Sequence, residues 1–111
     1  MTTKLISTIA VAPRNLLITP RQSIYNPGDR IQCSAEGNPA PSYQWTDLDS
    51  GNVTQGAVLV VSQDMVNQGH IFRCTASNRY NGVNYTIADN IAFAVQGTSI
   101  VVIICLYVTM K

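Results

Sequence analysis

Few side chains in this chain are able to do chemistry. Three cysteines (Cys33, Cys74, Cys105), one histidine (His70) and one glutamate (Glu36) stand among 111 residues. An odd cysteine count allows at most one internal pair and leaves a thiol over. Asp47-Leu-Asp49-Ser-Gly51 is spaced like the opening of a calcium loop. Such a loop needs further oxygen donors and a closing glutamate, and none follows. The two aspartates therefore read as turn residues on an exposed surface. His70 has no partner at metal-ligand spacing, and no G-x-S-x-G motif offers it a nucleophile. The expectation is a non-enzymatic protein, with no catalytic residue, metal ligand or cofactor assigned.

Two further motifs concern modification. Asn52-Val-Thr54 and Asn84-Tyr-Thr86 are N-glycosylation sequons, which suit a secretory route. Asn52 lies on a turn and Asn84 at the start of a strand.

Charge narrows the partners. Seven basic against six acidic residues give a net charge of +1, with no clustered basic face for nucleic acid. Only 12% of residues are charged, about half of the ~25% usual for soluble domains. From Tyr80 to Met110 the only charge is Asp89. The uncharged run Thr98–Met110, closed by Lys111, spans roughly 20 Å as a helix, short of the ~30 Å of a bilayer core. It reads as the start of a transmembrane helix with Lys111 on the cytoplasmic side; a buried strand or core helix is the competing reading. Cys105 is then a small apolar residue in lipid, with acylation as the alternative. Residues 1–12 read either as the last strand of a preceding domain or as a short signal-like segment ending at Ala10-Val-Ala12. Residues 13–96 form the organised domain and residues 97–111 the apolar tail.

Within 13–96 short strands alternate with turns. Ile31, Cys33 and Ala35 share one face; Tyr43 and Trp45 share another. Ala57–Val61 is a short buried strand carrying Leu59. His70, Phe72, Cys74 and Ala76 alternate with Ile71, Arg73, Thr75 and Ser77. Asn81-Gly82 is the signature of a two-residue type I′ hairpin. That hairpin sets Cys74 opposite Asp89, and burying a carboxylate there is costly. A β-bulge at Asp89–Asn90 is expected to turn it to water. Strands at this spacing make an all-β, two-sheet sandwich. Cys33 and Cys74 then face each other across the core. A bridge between them closes a loop of about 42 residues, worth about 4 kcal/mol in the chain-entropy account. Trp45 packs against it, and Phe72 and Leu59 complete the core set. Such a bridge calls for an oxidising compartment.

The set Cys33…Trp45…Cys74, with Gly37-x-Pro39-x-Pro41 ahead of the tryptophan and Cys74-Thr-Ala76-Ser-Asn78 at the second cysteine, resembles the immunoglobulin superfamily. The cysteine spacing is similar to its compact C2-type or I-type domains, most of all the C2-type repeats of carcinoembryonic-antigen-related cell adhesion molecules. The resemblance covers Pro13 to Gln96 and implies a Greek-key sandwich. The tyrosine such domains place two residues before the second cysteine is Phe72 here. The hydroxyl tie to the preceding turn is lost with it, so that turn is expected to be looser.

By the same resemblance, recognition falls on the exposed face of the C, F and G strands and on the F–G hairpin. Those positions are Gln44, Thr46, Ile71, Arg73, Arg79 and Tyr80, with tyrosine and arginine favoured at hot spots. The implied protein is a single-pass type I cell-surface molecule whose membrane-proximal domain binds a protein partner in adhesion or as a receptor. The alternatives are an intracellular structural scaffold domain of the I-type and a passive spacer.

Overall fold

The computed structural model describes residues 9–97. Eight strands run in chain order: β1 (Val11–Thr19), β2 (Ile24–Tyr25), β3 (Arg30–Asn38), β4 (Ser42–Asp47), β5 (Val53–Gln55), β6 (Val58–Val60), β7 (Gly69–Tyr80) and β8 (Val83–Val95). A 3-10 turn, Gln63–Met65, precedes β7. One sheet has the order β1-β3-β6, the other β2-β8-β7-β4-β5. All pairings are antiparallel except β2 with β8. The described residues are all-β, and β1 and β2 divide their first edge between the two sheets.

The core follows from period-two alternation. Ile31 and Cys33 from β3, Ile18 from β1 and Leu59 from β6 meet Trp45, Phe72, Cys74, Ile91, Phe93 and Val95 of the other sheet, all buried. The Cys33–Cys74 disulfide joins the sheets across a Cα–Cα distance of 6.5 Å. Trp45 sits beside it, directly opposite Cys74 in the β4–β7 register. Phe72 and Phe93 stack with centroids 5.7 Å apart, and Tyr25 meets Phe93 edge-on at 5.1 Å.

The β7–β8 hairpin turns on Asn81 (φ 50°) and Gly82 (φ 76°), with Tyr80 opposite Val83. Positive φ at both central residues is the type I′ signature.

Two expectations are corrected. The β7–β8 register runs unbroken from Tyr80↔Val83 to Gly69↔Ala94, with Cys74 opposite Asp89 and no bulge. Asp89 nevertheless reaches water, because β2 covers only the last residues of β8. Its carboxylate leaves at that open flank to meet Arg21 Nη2 at 2.6 Å. The register shifts fall instead in β1, on either side of Arg14, where Asn15 takes a φ of 55°. Second, the turn before β7 is tied: His70 Nε2 donates to the Met65 carbonyl at 2.8 Å. At the start of β1, Val11 pairs with Asn38, Asn38 Nδ2 donates to the Ile9 carbonyl at 2.6 Å, and Pro13 is a buried strand residue.

Among the described residues no helix is long and apolar enough to cross a membrane. The transmembrane expectation for the tail and the roles considered for Cys105 lie outside the described residues, as does most of the 1–12 segment.

Candidate functional site

Register builds the candidate face row by row, since directly opposed residues point the same way. Val53, Thr46, Arg73 and Asn90 form one row across β5, β4, β7 and β8. Gln55, Gln44, Thr75 and Ala88 form the next. Ile71 lies opposite Ala92 at one end, and Arg79 opposite Asn84 at the other. This is the outer surface of the five-stranded sheet. It brings together Gln44, Thr46, Ile71, Arg73 and Arg79.

Tyr80 is not on it. In β7 the buried residues are Phe72, Cys74, Ala76 and Asn78, and Tyr80 continues that inward series. The expected recognition set is therefore split between two sides of one hairpin.

The face is made largely of small uncharged residues. Ile71 and Val53 are 43% and 50% exposed, apolar side chains with no core to enter. Both arginines are held by amides: Arg73 Nε donates to Asn90 Oδ1 at 2.9 Å and Arg79 Nη1 to Asn84 Oδ1 at 3.1 Å. No strand position on this face carries a carboxylate. The face thus presents two ordered guanidinium groups without counter-charge beside exposed aliphatic carbon.

Both sequons belong to this sheet. Asn52 is exposed where the β4–β5 turn enters β5, and Asn84 is exposed on the candidate face itself. The Arg79 contact uses the Asn84 oxygen and leaves the amide nitrogen, the atom a glycan takes, outside that bond.

Asp47 and Asp49 shape the β4–β5 turn. Asp47 Oδ1 accepts from the backbone of Asp49 at 2.9 Å and of Ser50 at 3.3 Å, as a turn aspartate does. His70 packs against Phe72 and Phe93 in addition to its bond to Met65.

Sequence reasoning missed β2 and the roles of Tyr25 and Asn78. Tyr25 is buried, and its hydroxyl donates to the Pro20 carbonyl and accepts from Gln22 N. The only signal for β2 is the Asn26-Pro-Gly-Asp29 turn that follows it.

Two sheets in this strand order, bridged by one disulfide with a tryptophan packed beside it, define an immunoglobulin-like domain. Such domains are typically non-enzymatic and generally mediate contacts between proteins. Among solved structures, the amphioxus IgVJ-C2 molecule matches with a TM-score of 0.59 and 28% sequence identity, over 78% of this chain and 46% of that one. The chain therefore spans less than half the length of that molecule. No family model and no curated protein matches the chain.

Proposed function

We propose that the outer face of the five-stranded sheet recognises a protein partner that presents carboxylates. The observation that carries the reading is the pair Arg73 and Arg79, ordered by Asn90 and Asn84 with no carboxylate on the face. Oriented guanidinium groups suit bidentate capture of carboxylates, and Ile71 and Val53 supply apolar contact beside them. In this proposal the domain is extracellular and membrane-proximal in a single-pass type I cell-surface protein, acting in adhesion or as a receptor. It is akin to the C2-type repeats of carcinoembryonic-antigen-related cell adhesion molecules. The Cys33–Cys74 disulfide supports an oxidising compartment, and the apolar run after Gly97 supports the membrane anchor.

The test is to send the full chain through a mammalian secretory pathway behind a cleavable leader, and to present it as multimers to a panel of cell lines. Staining is expected, and Arg73→Glu with Ile71→Asp is expected to reduce it at least tenfold without lowering the melting temperature. Staining that survives the double variant overturns the face; free thiols at Cys33 and Cys74 overturn the extracellular placement. Asn84 favours a second reading: a glycan there shields the hairpin end of this face and leaves the domain a spacer. Mass spectrometry of the chain made in this pathway decides whether Asn84 is occupied.

A further inference from the structure

The open edge of β8 is a second surface able to bind protein. Native sheets blunt their edges, because a row of unpaired N–H and C=O groups is a template for another strand. Most edges of this sandwich obey. β5 and β6 are three residues long, and β1 is broken by register shifts on either side of Arg14. β8 is thirteen residues long, and β2 covers only Ala94 and Val95. Asn78 keeps β1 in the opposing sheet: its Nδ2 donates to the carbonyls of Val11 at 2.8 Å and Pro39 at 2.9 Å.

The covered end of β8 shows which groups the open part presents. Ala94 N donates to Ser23 O and Gln96 N to Tyr25 O, so even-numbered residues turn their backbone groups away from the ladder with β7. Asn90 N is already taken, by Asp89 Oδ1 at 2.9 Å, and the other oxygen of that carboxylate holds Arg21. Between this capped point and the hairpin loop, the N–H groups of Asn84, Thr86 and Ala88 have no backbone partner among the described residues. All three residues are exposed, with short uncharged side chains, so nothing on them repels an approaching strand.

We propose that a second copy of this chain pairs with this stretch, antiparallel, about a two-fold axis at Thr86. The sequence is self-complementary in that register. Thr86 meets its own copy, and Asn84 meets Ala88 of the second copy, as hydrogen-bonded pairs that use all three free N–H groups. On the opposite face of the strand Tyr85 meets Ile87 of the second copy. Threonine pairs and aromatic–β-branched pairs are favourable cross-strand neighbours. Asp89 lies opposite Val83, so no like charges meet. Gly82 of the second copy falls opposite Asn90, and the new ladder ends where Asp89 and Arg21 close the edge. A register centred on Ala88 needs the occupied Asn90 N–H and sets Asp89 against Ile87. The contact is short, which makes the association weak and transient. The inference does not rest on the recognition reading: the outer faces of both copies stay open.

The test is sedimentation equilibrium of the unglycosylated full chain, its disulfide formed and its Cys105 thiol alkylated, in density-matched mild detergent. A concentration-dependent dimer is expected. Ala88→Pro deletes one edge N–H, and Thr86→Lys sets two like charges face to face; each is expected to weaken the dimer at least tenfold. Thr86→Glu alone is expected to do the same, and the Lys and Glu variants are expected to pair when mixed. Arg73→Glu with Ile71→Asp is expected to leave the dimer unchanged, which separates this edge from the outer face. A chain that stays monomeric at every concentration overturns the proposal. So does a dimer that all the Thr86 and Ala88 variants leave intact, because the apolar run then holds it. Failure of the mixed Lys and Glu variants to pair overturns the register centred on Thr86.

Discussion

At the scale of single residues, one carbonyl carries an unusual share of the core. The Ala57 oxygen accepts from Trp45 Nε1 and from Cys33 N, both at 2.9 Å. The fully buried indole is thereby tied to the strand that holds the first half of the disulfide. Trp45→Ala removes the ring and leaves a cavity beside the sulfur bridge, and is expected to cost about 3–5 kcal/mol. Urea unfolding of the oxidised variant measures this; a loss below about 1 kcal/mol would remove Trp45 from the centre of the core. Trp45 and both cysteines were legible in the sequence because alternation alone puts them on inward faces. The substitute for the missing tyrosine hydroxyl was not. His70 shares a strand face with Phe72, which is the available signal. Its partner, however, is a backbone carbonyl whose position depends on the 3-10 turn and on Asn67 at a φ of 66°. No periodicity in the sequence encodes that geometry.

At the scale of elements, β8 separates what is local from what is not. The hairpin that starts it was legible because Asn81-Gly82 sets its own backbone. The bulge was inferred from burial at Asp89, and burial there depends on how far a distant edge extends. That edge is β2, and it is only two residues long. The hydrogen bonds of β8 give its parity. Ala94 N donates to Ser23 O and Gln96 N to Tyr25 O, so even-numbered residues turn their N–H toward the β2 side. The unbroken register carries this alternation back along the strand. Ala88 N–H therefore points to the open edge, whereas Ile87 N–H points into the ladder with β7. Proline removes an N–H, and sheets tolerate it at open edges far better than inside a ladder. Ile87→Pro removes a ladder hydrogen bond and is expected to lower the urea midpoint strongly, and Ala88→Pro to lower it distinctly less. The two midpoints in urea, compared at equal slope, check this; equal losses would mean that the parity is assigned wrongly.

At the scale of the whole molecule, the point of interest is where the sandwich hands over to the apolar run. The turn before β7 closes on the end of β8: Asn67 N donates to Val95 O at 2.9 Å. Next to it Val66 packs against the backbone of Gly97. A Cβ built on Gly97 would lie 2.1 Å from Val66 Cγ1, closer than nonbonded carbon atoms approach, and at a tight 3.2 Å from both Val66 Cβ and Val66 Cγ2. Gly97 is buried and Val66 half-buried, so a side chain at position 97 has to displace the valine. The glycine is required by this close approach and not by its backbone conformation. The seam joins the tied turn, the final strand and the exit of the chain into one unit, so loosening it acts on the entire sandwich. Gly97→Ala is expected to cost about 1–3 kcal/mol through overpacking. Val66→Ala makes space for the new methyl, so the double variant is expected to recover at least about 1 kcal/mol relative to the sum of the single changes. Urea unfolding of the four proteins of this cycle supplies the coupling energy. If the two losses simply add, the valine is not what excludes a side chain at position 97, and the turn and the exit are mechanically independent.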